Sequence, residues 1–199
     1  MSGGKMIWKY LLRILCAVVF IVLLALLAAS LILAKPQSDK TGATPARPAA
    51  ESGPDMTIDS ESDFVELVSG FPAPVMSFMS GSGMTFVSAV SSSAEVSGGF
   101  ARIVTLYWQT PEGQPMTLRS IWPANALSLM EDGFHFMPVS GSTLFGSPSV
   151  RMENDETIRL HLATDQALYV VLLPRALNGQ VSELCRSLQL FLPPTLKDD

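Results

Sequence analysis

The sequence predicts an α+β fold, an antiparallel sheet of five to six strands with flanking helices, preceded by one transmembrane helix. Three observations support this class. An uncharged apolar run lies near the N-terminus, segments rich in β-branched and aromatic residues alternate with Gly- and Pro-containing turns, and a short helical pattern stands at each end of those segments.

Residues 14–34 form the apolar run, which contains no charged side chain. A helix of these 21 residues rises about 31 Å at about 1.5 Å per residue, which matches a hydrocarbon core of about 30 Å. Lys9 and Arg13 precede the run, with the interface-preferring Tyr10 between them. We therefore predict a transmembrane helix over residues 11–34, which would hold the chain in a lipid bilayer.

The orientation of this helix depends on its flanks. Lys35 and Lys40 follow the run, so basic residues stand on both sides of it. We expect residues 1–10 to be a cytoplasmic tail, because the trailing segment is an acidic domain that a few linker charges do not retain. A cleaved signal peptide is the alternative, but its apolar region is normally about 7–15 residues, shorter than this run.

Two further divisions follow the predicted anchor. Residues 35–55 are rich in Pro, Ala, Ser and Gly and lack apolar periodicity, which is typical of a flexible linker. Residues 56–199 are long enough to bury one core and form the predicted extracytoplasmic domain. Residues 1–54 hold six basic and two acidic side chains, whereas residues 55–199 hold seven and sixteen. This acidity argues against nucleic acid as a partner.

A short helix is predicted near the start of the domain. Asp63 and Glu66 have the spacing of a capping box, and Phe64, Leu67 and Val68 share one helical face. The glycine and proline that follow are expected to end this helix.

Strands account for most of the remaining domain. We predict strands at 83–90, 99–109, 115–122, 146–153, 157–164 and 167–174, with a helical turn within 125–134. The pairs 99–109/115–122 and 146–153/157–164 are predicted hairpins. Alternation within 157–164 points Ile158, Leu160 and Leu162 inward, and Arg159 and His161 towards solvent.

A final helix is predicted over 182–192, with Ser182 as its cap. Leu184, Cys185 and Leu188 would form its buried stripe together with Val181. We interpret Cys185 as a small buried hydrophobe, since no second cysteine of the exported domain is available for a disulfide.

The sequence carries no strong catalytic or metal-binding motif. His135 and His161 are its two histidines, and the nucleophile motif G-x-S-x-G does not occur. Residues 153–156, ENDE, hold three carboxylates where a hairpin turn is predicted, and we interpret them as a solvated acidic turn rather than a calcium site. We therefore predict no enzyme activity, no cofactor and no metal.

A methionine-rich segment over residues 71–84 is the candidate contact region. Met76, Phe78, Met79 and Met84 are adaptable apolar groups in a segment that looks too rich in Pro and Gly to be regular. They are candidates for contact with a partner or with lipid headgroups. The alternative is a loop that folds over the sheet edge as part of the core.

The order of these segments resembles the extracytoplasmic C-terminal domain of bacterial membrane-anchored anti-sigma factors and related surface proteins. In that domain a strand ending in Tyr leads through a Gly turn to a second strand, and a terminal helix closes the domain. Tyr107 and Gly113 match the first feature, and Glu183, Leu184 and Leu188 match the second. The resemblance implies the same fold and names no catalytic residue.

Only about a dozen residues precede the apolar run, and an anti-sigma factor needs a cytoplasmic domain to hold its sigma factor. The resemblance therefore implies a sensor-like or accessory ectodomain without the inhibitory module. We expect a single-pass protein whose ectodomain binds an envelope protein or peptide without catalysis. The alternative is a carrier of a lipid or small molecule, in which the methionine-rich segment acts as a lid.

Overall fold

A computed structural model of the chain describes residues 49, 51, 53, 55–130, 133–138 and 141–193. All of them belong to one compact unit, Thr44–Asp199. The predicted cytoplasmic tail, the predicted transmembrane helix and residues 35–48 of the predicted linker lie outside the described residues. Within the described part, no helix has both the length and the apolarity that a membrane crossing requires.

The elements of the described residues are mostly short strands. The strands are β1 (Met56–Ile58), β2 (Val75–Phe78), β3 (Thr85–Val96), β4 (Gly99–Gln109), β5 (Pro115–Trp122), β6 (His135–Phe136), β7 (Thr143–Leu144), β8 (Ser147–Pro148), β9 (Val150–Glu153), β10 (Thr157–Ala163), β11 (Leu168–Pro174) and β12 (Leu188–Phe191). The helices are α1 (Phe64–Val68) and α2 (Val181–Arg186), with 3₁₀ turns at Glu61–Asp63, Leu127–Leu129 and Arg175–Gln180.

Eight strands of the described residues form one antiparallel sheet in the order β1-β3-β4-β5-β11-β10-β9-β6. The domain is therefore mostly β, with two short helices. Both predicted hairpins are confirmed, because β4 pairs with β5 and β9 pairs with β10. The predicted count of five to six strands was too low. The two strands it missed, β1 and β6, have three and two residues, too few for a period of two to be visible.

The inner face of this sheet holds the main core. Its buried side chains interlock with those of α1, α2 and the two-stranded ladder formed by β2 and β12. On the sheet side the fully buried members include Val104, Leu106, Leu118, Ile158, Leu160, Tyr169 and Val171. Ile158 and Leu160 thus point inward as predicted.

Two hydrogen bonds fix the covering layer to the sheet. The backbone N–H of Met76 donates to Ser120 Oγ at 2.8 Å, and the hydroxyl of Tyr169 donates to the carbonyl of Pro74 at 3.2 Å. Both bonds are buried, so each satisfies polar groups that would otherwise be desolvated without a partner.

The prediction of the final helix is correct for its first part only. Val181, Leu184, Cys185 and Leu188 are all buried as expected, but the helix ends at Arg186. The residues after it form β12, which pairs with β2. These residues form a strand rather than a helix for two reasons. Leu188 and its neighbours also fit a period of two, and β2 is a buried strand with which they can pair.

Asp63 was predicted to cap the first helix, and this was wrong in detail. Its side chain makes no capping bond, and Ser60 instead accepts from the N–H of Ser62 at 3.3 Å in the preceding 3₁₀ turn. The predicted apolar face is nevertheless present. Leu67 and Val68 are buried, and the ring of Phe64 packs against Phe191 of β12 at 5.1 Å.

The outer face of the sheet is covered in part, and this overturns the prediction for Arg159. Its side chain was expected in solvent but is only 5% exposed. The chain that follows β5 turns back over this face, and its Phe134 ring lies 4.4 Å from the Arg159 guanidinium carbon. The 3₁₀ turn Leu127–Leu129, predicted as a helical turn, belongs to the same covering segment, which packs on Ile121 and Val170.

We predict that Ser120→Ala weakens the attachment of the covering layer. The substitution leaves the Met76 N–H buried without an acceptor, which costs about 1–3 kcal/mol of unfolding free energy. Denaturant titration of residues 44–199 measures this loss. Ser147→Ala, at an exposed position of β8, is the control and is expected to change stability by less than about 0.5 kcal/mol. Equal stability of the two variants would contradict the assignment.

Candidate functional site

A row of side chains crosses the outer face near one end of the sheet. Cross-strand neighbours project to the same face. The pairings Ser88↔Tyr107, Tyr107↔Thr117, Thr117↔Leu172 and Leu172↔Arg159 therefore place these five residues side by side. The β4–β5 and β9–β10 turns lie at the same end of the sheet, so loop residues stand beside this row.

Two neighbouring grooves follow this row, and we call the two together the trough. The larger groove has a volume of about 550 Å³ and the smaller one about 350 Å³, and they share Pro115 and Thr117 as lining residues. The other residues that line the larger groove include Phe134, Asn154, Glu156, Leu172 and Pro174. From β3 to β10 the trough crosses five strands, a length of about 19 Å at a strand spacing of about 4.8 Å.

Phe134 closes one side of the trough. Its ring stacks on the Arg159 guanidinium, an arrangement in which the aromatic face attracts the cation. The same guanidinium donates to the sulfur of Met152 at 2.8 Å. These contacts hold Arg159 beneath the ring, so the positive charge does not face the trough directly.

The turn between β9 and β10 forms a rigid wall that carries Glu156. The side chain of Asn154 accepts from the N–H groups of Glu156 and Thr157 at 3.0 and 2.7 Å. The backbone N–H of Arg175 donates to the Glu156 carbonyl at 2.7 Å. The Glu156 side chain is exposed, and the ion pairs found among the described residues do not include it. A carboxylate on a fixed backbone is thus available at the trough.

The opposite side of the trough is apolar and open. Tyr107 is 38% exposed and Val87 is 41% exposed, although both are large hydrophobic side chains. Val87 lies at a register shift between Phe86 and Ser88, a bulge that turns its side chain out of the normal alternation. The trough therefore offers an apolar contact at one side and a carboxylate towards the other.

The structure separates the four candidate contact residues. Met76 and Phe78 lie in β2 and are fully buried, so the segment is more regular than predicted and in part belongs to the core. Met84 is partly buried and lines a separate groove of about 250 Å³ beside Glu183. Met79 is 42% exposed, and contact of Met79 and Met84 with a partner or with lipid stays a prediction.

The three carboxylates of residues 153–156 lie in different environments and do not form one cluster. Glu153 was expected in a solvated turn, but it is buried and binds the guanidinium of Arg151, with Arg175 at 3.7 Å from its other oxygen. The strand register places the Glu153 side chain on the inner face of the sheet, beside the core. Asp155 and Glu156 remain exposed. Across the part of the chain that the structure describes, no cluster of three potential metal-binding side chains occurs.

The two histidines lie in different environments. His135 is exposed in β6, whereas His161 is partly buried on the outer face beside Arg159. Burial lowers the pKa of His161 below its ordinary value, and the Arg159 charge lowers that pKa further. His161 is therefore neutral in the folded protein at neutral pH.

Cys185 is a free, buried thiol in α2, as predicted. Burial raises its pKa to about 11, and the nearby Arg151 charge only partly opposes this. A thiol in this state holds almost no thiolate at neutral pH, which makes it a poor nucleophile.

No protein-family model, curated protein or solved structure matches this chain. Sequence reasoning missed the trough, because its residues come from β3, β4, β5, β10, β11 and two loops. Two of the trough residues, Tyr107 and Thr117, could have been identified from the sequence, because each stands at an outward-facing position of a strongly predicted strand.

We predict an acid-sensitive contribution of His161 to stability. Its lowered pKa means that the unfolded chain binds the proton more readily, so the unfolding free energy falls as the pH drops below about 6.5. Denaturant titrations at pH 7.5 and 5.5 measure this fall, and His161→Gln is expected to reduce it. His135→Gln is the control and should keep the wild-type pH dependence. If the two variants behave alike, the assignment to His161 is wrong.

We also predict that Cys185 resists alkylation in the native protein. Iodoacetamide at pH 8 reacts with the thiolate, which both burial and the raised pKa suppress at this site. Peptide mass spectrometry distinguishes modification of Cys185 from that of Cys16. The expected result is modification of Cys185 only after denaturant is added, and rapid alkylation of the native thiol would contradict the buried position.

Proposed function

We propose that this chain is a single-pass membrane protein whose extracytoplasmic domain binds an envelope protein or peptide through the trough, without catalysis. The observation that carries the proposal is the trough itself. It combines exposed apolar side chains with a rigid, charged wall on a well-packed sheet, and such surfaces suit recognition. In this proposal residues 11–34 span the bilayer, and residues 1–10 are cytoplasmic.

The position at which Ala49 joins the sheet supports this arrangement. Ala49 pairs with Phe100 through two backbone hydrogen bonds of 2.9 and 3.1 Å, at the start of β4. Tyr107 lies seven residues further along this strand, about 23 Å away at about 3.3 Å per residue. A tether that joins at one end of the sheet leaves the trough at the other end free for a partner.

Affinity purification of the intact protein in mild detergent, followed by mass spectrometry of proteins and lipids, tests the proposal. We expect one envelope protein or peptide in stoichiometric amount, and the same partner with residues 35–199 alone. Tyr107→Ser removes apolar contact area from the trough and is expected to lose this partner.

The matched control is Leu190→Ser. Leu190 is 39% exposed, close to the exposure of Tyr107, but it lies in β12 on the other layer of the domain. The control should retain the partner. Loss with both variants, or with neither, would contradict the trough as the site, and recovery of lipid without protein would favour the carrier function.

A further inference from the structure

We propose that an exposed apolar patch of the covering layer rests on the surface of the bilayer that anchors this chain, with zwitterionic lipid as its partner. The patch lies at the end of the sheet where Ala49 pairs with Phe100, which we call the tether end. This inference rests on the anchor of the proposed function and adds a contact surface distinct from the trough.

The patch consists of five apolar side chains on two elements of the covering layer. The rings of Phe64 in α1 and Phe191 in β12 make an edge contact, with their centroids 5.1 Å apart. Val65 follows the first ring in the chain, and Leu190 and Leu192 flank the second. Val65 is 49% exposed, Leu190 is 39% exposed and Leu192 is 47% exposed. Large apolar side chains that stay this exposed around one contact indicate an interaction surface.

The direction of β12 places its part of the patch towards the tether end. The carbonyl of Pro74, just before β2, accepts from the hydroxyl of Tyr169, which lies near the start of β11 at the tether end. The ring of Phe78, the last residue of β2, packs against Trp108 at 5.4 Å, near the β4–β5 turn at the far end of the sheet. β2 therefore runs away from the tether end. β12 is antiparallel to β2, so it runs towards the tether end and finishes there at Phe191.

Arg102 connects the end of α1 with the segment that enters the domain. Its guanidinium donates to the carbonyl of Gly70, two residues beyond α1. Gly53 of the entering segment lies against the same side chain, so closely that a Cβ at Gly53 would be 2.6 Å from Nε of Arg102. The N–H of Gly53 also donates to Ser93 Oγ of β3 at 2.8 Å. The patch and the entry of the chain therefore lie at the same end of the domain.

The tether that keeps this end near the bilayer is shorter than the predicted linker. Residues 35–55 are the predicted linker, but Ala49 and Gly53 are already bonded to the sheet. In the proposed topology, the 14 residues 35–48 separate the membrane helix from Ala49. A flexible chain of that length has a root-mean-square end-to-end distance of about 20 Å. The effective concentration of lipid surface at the tether end is therefore high, and a weak apolar contact is enough to hold the patch there.

The charges beside the patch determine which lipid surface it fits. Glu61, Asp63 and Glu66 are exposed on the turn and helix that carry Val65. Residues 55–199 as a whole hold sixteen acidic and seven basic side chains. This negative charge disfavours contact with anionic headgroups. A zwitterionic surface has no net charge, so the apolar side chains can supply the attraction by entering the boundary between headgroups and acyl chains.

Photo-crosslinking to lipid tests this inference with the full chain in phosphatidylcholine nanodiscs, loaded with one chain per disc. Benzoylphenylalanine replaces Leu192 in one sample. In the other it replaces Val87, which is 41% exposed and lies towards the far end of the sheet. Peptide mass spectrometry measures the lipid adduct at each position. We expect at least about five times more adduct at position 192 than at position 87, because the patch is in contact with the bilayer.

A double variant, Val65→Ser with Leu190→Ser, tests whether the apolar side chains hold the contact. Both positions are exposed, so we expect the fold to remain, and denaturant titration checks this. With benzoylphenylalanine at position 192, the double variant is expected to lower the lipid adduct at least about threefold, because it removes apolar area from the patch. Val87→Ser is the matched control and should leave that adduct unchanged. If both variants lower it equally, or neither does, the inference fails.

The remaining outcomes separate this inference from the proposed function. Equal adduct at positions 192 and 87, or adduct at neither, in discs that hold the intact chain overturns the lipid contact and leaves the anchor and the trough as they stand. A chain that loses residues 11–34, or that does not enter the discs, contradicts the anchor and overturns both proposals. In discs loaded with two chains, a crosslink from position 192 to the second copy without lipid adduct would assign the patch to self-association and overturn the lipid contact.

Discussion

The fold depends on burying the inner face of one antiparallel sheet. Its strands carry a nearly continuous layer of apolar side chains, and a surface of this kind is stable only against a second layer. The chain supplies that layer from both ends of the domain, through α1 and β2 on one side and α2 and β12 on the other. The bond from Met76 to Ser120 shows how closely the two layers meet, since a backbone donor of one is satisfied by a side chain of the other.

Both ends of the described domain lie on the inner face, which leaves few of the described residues for the outer one. Among the described residues, the segment after β5 is the one that returns across it, and its Phe134 covers Arg159. Beyond this point Tyr107 and Val87 remain exposed near one end of the sheet. The trough is thus a consequence of incomplete cover, and the rigid turn at Asn154 and Glu156 adds a charge to its wall.

Local patterns made the strands and hairpins predictable, because the alternation within 99–122 and 157–174 and the turns between are encoded by neighbouring residues. The same patterns could not show which outward residues would be covered. Arg159 is buried by Phe134, which lies 25 positions earlier in the chain. The alternation of residues within β10 gives no information about that contact. β12 was predicted as helix because Leu188 fits both periods, and only the distant β2 decides between them. The trough was missed for the same reason, since it exists only once separate strands lie side by side.

Site-specific photo-crosslinking in cells tests the central claim most directly. A benzoylphenylalanine at Val87 would lie in the trough, whereas one at Val65, with a similar exposure of 49%, would lie on α1 beyond the other face of the sheet. The account predicts a discrete crosslinked partner from position 87 and none from position 65. Crosslinks of the same partner from position 65, with none from position 87, would show that the binding surface lies elsewhere.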